Sequence, residues 1–212
     1  MKRKMVPFFV LTVATIGLLF NALTAQADPI AHLTLHSEPG DYIGRGGDFD
    51  ITYTPENSDF FFVFIFYSPP RFLEFQFGTV TSGLDNTFAT LQFSTNQLGI
   101  PIQPGFYPDA ERAPFASPGH AGLVVSFQNR GCNTLTGNFT IDDVTFLPDP
   151  SLPSGLNVNT FGASFEQHCE GNAPALFGTF SFNAGAAAVP EPATSTLVTS
   201  GLLLLMAFRK RK

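Results

Sequence analysis

Between residues 28 and 183 no stretch of the chain sustains a helical apolar period. Apolar residues come instead in short runs cut apart by proline and glycine. Ala31, Leu33 and Leu35 alternate with His32, Thr34 and His36, which puts the apolar side chains on one face of a strand. Similar runs occur at 49–54, 60–67, 72–80, 87–93, 122–127, 137–146, 158–165 and 176–182. Turn signals separate them, among them Glu38-Pro39-Gly40-Asp41, Ser68-Pro69-Pro70 and Ser117-Pro118-Gly119-His120. Eight or nine short strands in about 160 residues predict one all-β domain, a two-layer β-sandwich of jelly-roll type, with a closed barrel as the other solution. No fixed internal period points to a solenoid or propeller.

Phenylalanine supplies the packing. The chain has 25 Phe and no Trp, and about ten inward-facing rings, each burying roughly 150–250 Å², would make a substantial core. The run Phe60-Phe61-Phe62-Val63-Phe64-Ile65-Phe66 is apolar at every position, which predicts a central strand covered on both faces. A lipid- or partner-binding edge is the competing reading. Residues 96–119 carry Pro101, Pro104, Pro108, Pro114 and Pro118, too many for a central strand, and predict an extended surface loop. Residues 148–154 predict a second connection and residues 184–188 a flexible linker.

The two ends are of another kind. Lys2, Arg3 and Lys4 precede a mostly apolar stretch from Val6 to Leu23, and Ala25-Gln26-Ala27 offers small residues for a signal peptidase, so residues 1–27 read as a signal peptide cleaved after Ala27. At the other end Val189-Pro190-Glu191-Pro192 cannot enter a helix interior. The uncharged stretch from Ala193 to Phe208 would span roughly 24 Å as a helix, short of a hydrocarbon core of about 30 Å. Snorkelling of Arg209, Lys210, Arg211 and Lys212 and local thinning make up the difference. These four cations stay cytoplasmic, leaving the Pro-Glu-Pro motif outside.

In these three parts and their order, residues 189–212 resemble the PEP-CTERM sorting region of Gram-negative bacteria. The resemblance implies that Val189, Pro190, Glu191 and Pro192 are recognised by a membrane-embedded exosortase, which removes the tail, and that Arg209–Lys212 act as a basic stop. It further implies an inner-membrane-anchored precursor that ends in the periplasm, on the outer surface or in the extracellular matrix, in company with exopolysaccharide. An ordinary tail anchor and an uncleaved N-terminal signal anchor are the competing readings.

Removing both ends takes away seven of eleven cations. Arg45, Arg71, Arg112 and Arg130 then stand against sixteen acidic residues between Asp28 and Ala188, a net charge of −12 against −6 for the precursor. Nothing is left to build a basic patch, so nucleic acid is excluded as a partner and an anionic membrane surface is disfavoured.

Cys132 and Cys169 lie in the exported part, where oxidising conditions favour a disulfide. It would close a loop of about 38 residues and contribute roughly 4 kcal/mol in the chain-entropy picture. A metal site built from Cys169, His168, Glu170 and His120 competes, without the spacing of a structural zinc motif. Three further stretches, 37–44, 130–137 and 167–171, resemble segments of an exported bacterial β-domain that recurs in surface proteins without an assigned activity. That likeness implies one intact domain and the same cystine, and no catalytic residues.

The chain contains no Gly-x-Ser-x-Gly elbow, His-Glu-x-x-His or P-loop, and nothing calls for a cofactor or a metal. Asp48 and Asp50 share a strand face, whereas Asp142 and Asp143 should point to opposite faces. His32 and His36 share a polar face and read as exposed. These features predict a non-enzymatic surface or matrix protein. The alternative is a carbohydrate-binding module using a concave sheet face or the loops around Tyr42, Tyr67 and Tyr107.

Overall fold

A computed structural model describes residues 28–81 and 85–184. The segments read as signal peptide (1–27) and sorting tail (189–212), and nearly all of the linker (184–188), lie outside the described residues.

The described chain is all-β, with ten strands: β1 (Ala31–Ser37), β2 (Asp48–Tyr53), β3 (Phe60–Phe66), β4 (Phe72–Gly78), β5 (Ala89–Ser94), β6 (Gly105–Arg112), β7 (Gly122–Phe127), β8 (Leu135–Pro148), β9 (Leu156–Cys169) and β10 (Ala175–Phe182). Where the sequence suggests two layers, the strands form one continuous sheet in the order β2-β1-β10-β9-β8-β6-β7-β5-β4-β3, which curls into a nearly closed barrel. Neighbours are antiparallel except β6 and β7, which run parallel through Glu111–Arg112 and Gly122–Leu123.

The two halves of the sheet meet through phenylalanine. Phe75 of β4 packs on Phe161 of β9 at 5.0 Å and on Phe180 of β10 at 4.8 Å between ring centroids. Phe93 of β5 reaches Phe139 of β8 at 5.4 Å and Phe161 at 5.0 Å. All five rings are fully buried, and the tilted and edge-on geometries are those that aromatic quadrupoles favour.

Closure fails between β2 and β3 for a visible reason. Phe61, Phe77, Ala89 and Phe127 line up in register across β3, β4, β5 and β7. On that row β2 sets Phe49 against Phe127 at 4.8 Å and Tyr53 against Phe77 at 5.8 Å, so β2 runs across the strand ends instead of alongside β3. The Tyr53 hydroxyl, at the end of β2, donates to the Thr87 carbonyl at 2.8 Å. Gly78, at φ +99°, lets the Thr87 carbonyl lie against β4, since a side-chain carbon there would sit 2.5 Å from the Thr87 oxygen.

Two sequence expectations are corrected here. The all-apolar strand β3 is not central but stands at the end of the sheet. Phe61, Val63 and Ile65 pack against the core, whereas Phe62, Phe64 and Phe66 face outward and are exposed. The segment 96–119 is not a loop throughout, because β6 pairs with β8 inside it. The strand tolerates Pro108 because the register shifts between Tyr107 and Ala110, at a bulge where Asp109 takes φ +50°.

Candidate functional site

The outer face of β3 and β4 carries a row of rings that the core does not use. Phe60, Phe62, Phe64 and Phe66 succeed one another at centroid spacings of 6.3, 6.1 and 6.5 Å, as alternate residues of one strand must. Phe88 extends the row beside Phe60 at 5.1 Å, and Phe72 extends it beside Phe66 at 5.2 Å. Phe62, Phe64 and Phe66 expose 47, 40 and 44 % of their surface, which is far from what a structural aromatic shows. Tyr67 follows, 53 % exposed, with φ +72°. A left-handed conformation is strained for so bulky a residue.

Beside the rings lies a polar row fixed by its own bonds. Register places Gln76 opposite Phe62 and Glu74 opposite Phe64, with Gln92 of β5 opposite Glu74. Glu74 accepts from the side-chain amide of Gln76 through one oxygen and from that of Gln92, at 2.9 Å, through the other. The face thus offers aromatic carbon along one strand and oriented amides along the next two.

Polar side chains elsewhere are mostly occupied with one another. On the outer face of β1 and β2 the imidazoles of His32 and His36 donate to Asp50 and Asp48 at 2.6 and 2.5 Å, and the Thr34 and Thr179 hydroxyls bond at 2.6 Å between them. Asp48 and Asp50 do share a face, as expected. Asp142 and Asp143 do not behave as an alternating pair: a bulge falls between Ile141 and Asp143, and a side chain built on Gly162 would lie 3.9 Å from the Cβ of both.

An open cleft of about 320 Å³ beside the β6 bulge is lined by Phe106, Asp109 and His120. The His120 Nδ1–H donates to the Asp109 carbonyl at 2.8 Å. Glu111 accepts from the Ser117 N–H at 2.6 Å, a bond that lowers its carboxyl below the usual range. Both groups are therefore engaged in holding the loop that follows β6.

Cys132 and Cys169 are joined, with Cα atoms 5.0 Å apart, tying the β7–β8 loop to the end of β9. The competing metal reading loses its ligands. His168 donates to Glu166 at 2.9 Å, a bond that raises the imidazole and lowers the carboxyl. Glu170 accepts from the backbone N–H of Asn133 at 2.5 Å and from the Thr134 hydroxyl at 3.0 Å. Among the described residues no three His, Cys, Asp or Glu side chains are placed to share a metal ion.

Of the tyrosines singled out from sequence, Tyr42 and Tyr67 are exposed. Tyr107 is not: it is buried, stacks on Phe139 at 4.8 Å and donates its hydroxyl to the Gln103 carbonyl. Its side chain belongs to the core side of β6. The sorting residues Val189, Pro190, Glu191 and Pro192 and the basic stop Arg209, Lys210, Arg211 and Lys212 lie outside the described residues. The exposed phenylalanines were hidden in the sequence because inward and outward positions of β3 are equally apolar. No protein-family model, characterised protein or solved structure matches this chain.

Proposed function

We propose that the chain is the precursor of an exported, non-enzymatic surface or extracellular-matrix protein, delivered with its barrel folded outside the cytoplasm and freed by exosortase cleavage of its tail. The observation that carries this reading is the order of parts at the end of the chain: Val189-Pro190-Glu191-Pro192, then an uncharged apolar stretch, then four consecutive cations. In the precursor, residues 1–27 are a signal peptide that signal peptidase cleaves, residues 193–208 are a membrane-inserted sorting helix, and the chain resides transiently in the inner membrane until exosortase processes it.

Two structural facts support it. The Cys132–Cys169 disulfide suits an oxidising compartment. The two ends of the described chain also leave side by side: the Ile30 N–H donates to the Asn183 side chain at 3.0 Å, and the Asn183 N–H donates to the Ile30 carbonyl at 2.8 Å. A domain whose ends emerge together can have both neighbouring segments in one membrane without distortion of the sheet.

Fractionation of cells making the natural chain and a Pro190→Ala, Glu191→Ala, Pro192→Ala variant tests the proposal. The natural protein should leave the inner-membrane fraction in an exosortase-dependent manner and the variant should stay in it. Equal distribution of the two would refute the role given to the motif.

A further inference from the structure

The aromatic row and the polar row beside it lie on one accessible face, and export and sorting make no use of either. The row from Phe60 to Phe66 is roughly 20 Å long at the rise of a β-strand. The Phe62, Phe64 and Phe66 rings are uncharged and exposed, and the adjoining row presents amides. The anchored Gln76 and Gln92 amides each have an oxygen and a second N–H to offer.

We propose that the outer face of β3, β4 and β5 binds an uncharged polysaccharide strand, with Phe62, Phe64 and Phe66 packing on the C–H faces of successive sugar rings and Gln76, Gln92 and Glu74 bonding their hydroxyls. A sugar ring has an apolar face and an equatorial rim of hydroxyls, and this surface supplies both kinds of partner at neighbouring strand positions. Charge selects among glycans. Glu74 stands in the middle of the face, and the segment 28–188 carries −12, so a polyanionic chain is repelled and a neutral one is not.

Other occupants fit less well. The exposed parts of Phe62, Phe64 and Phe66 amount to roughly 260 Å², given about 200 Å² for a phenylalanine, against about 800 Å² per partner in a stable dimer. Two copies would also bring together domains of the same strong charge. Burial in a bilayer would strip water from the Glu74 carboxylate and its amides, which disfavours insertion.

The inference is independent of how the chain is trimmed and can fail while the sorting proposal stands. Its test is affinity electrophoresis of the protein as recovered from its cells, in native gels cast with dextran, galactomannan, xyloglucan or the polyanion alginate. At least one neutral polysaccharide should retard the protein and alginate should not. Phe64→Ala should weaken the retarding interaction at least about tenfold, the loss of one good aromatic contact. Gln92→Ala should weaken it less, and Phe64→Tyr and Tyr42→Ala should retain it, with unfolding midpoints showing that each variant is folded. Retardation by none of the neutral polymers, or by alginate alone, would overturn the proposal. So would natural binding by folded Phe64→Ala. Co-sedimentation with phosphatidylcholine vesicles without retardation would assign the face to lipid, and a dimer lost in Phe64→Ala would assign it to a second copy.

Discussion

The side chain of Gln167, wholly buried on β9, bonds both backbone groups of Val125 on β7: its Oε1 accepts from the Val125 N–H at 2.7 Å and its Nε2–H donates to the Val125 carbonyl at 2.8 Å. The parallel pairing of β6 with β7 ends at Leu123, so beyond it the edge of β7 faces the interior without a strand partner. The amide of Gln167 has the same donor and acceptor as a peptide unit and takes the place of one.

Replacing this amide leaves two backbone groups buried and unpaired. Gln167→Leu should lower unfolding stability by about 3 kcal/mol, the usual cost of orphaning two such groups at once. Urea denaturation of the variant and the natural protein measures the difference. A loss under about 1 kcal/mol would show that water or a relaxed strand substitutes for the side chain.

The cystine lies within the same cluster, since the Gln167 Nε2 is 3.4 Å from the Cys132 sulfur. Opening the loop in a Cys132→Ala, Cys169→Ala variant should cost about 4 kcal/mol. The costs of this change and of Gln167→Leu should not add, because the two sites share a contact. Denaturation of the three variants completes the cycle, with simple additivity arguing against the coupling.

Tyr53 holds β2 across the ends of the neighbouring strands. Burial pushes its phenol well above the ordinary tyrosine range. Ultraviolet titration should therefore show Tyr53 ionising only as the protein unfolds in alkali. Tyr53→Phe, which removes the bond to Thr87, should cost about 1 kcal/mol and leave the β2 packing in place.

The His168–Glu166 pair makes a small pH-dependent contribution. The raised imidazole stabilises the fold below its unfolded pKa, and this is lost as pH rises through the folded value. The lowered carboxyl stabilises it above its own unfolded pKa, and this is lost as pH falls through the folded value. The difference between the natural protein and His168→Gln should therefore be largest between about pH 4.5 and 6.5. With both groups about a quarter to a third exposed, solvent screening keeps it to a few tenths of a kcal/mol. Thermal unfolding across pH 4 to 8 measures it.

Strand positions were readable where polar and apolar residues alternate, as in β1, because burial on one face imposes that period. Even Gln167 could have been found this way, since Phe161, Ala163, Phe165 and Cys169 share its parity and face the core. Strand β3 lacks the alternation, so neither its edge position nor its outward rings could be read. Strand β6 was masked by Pro108, whose missing N–H is harmless only at a bulge that pairing with β8 creates. Sheet order depends on contacts between distant segments, such as Phe75 with Phe180, that no local pattern encodes.

The central claim is that an exported β-barrel is released from both of its terminal segments. Intact-mass measurement of the natural protein, from cells with and without a functional exosortase, tests it directly. The account predicts a species beginning near Asp28 and ending near Pro192 only where exosortase is active, and a species retaining Arg209–Lys212 where it is not. Retention of that basic end in both strains would contradict it.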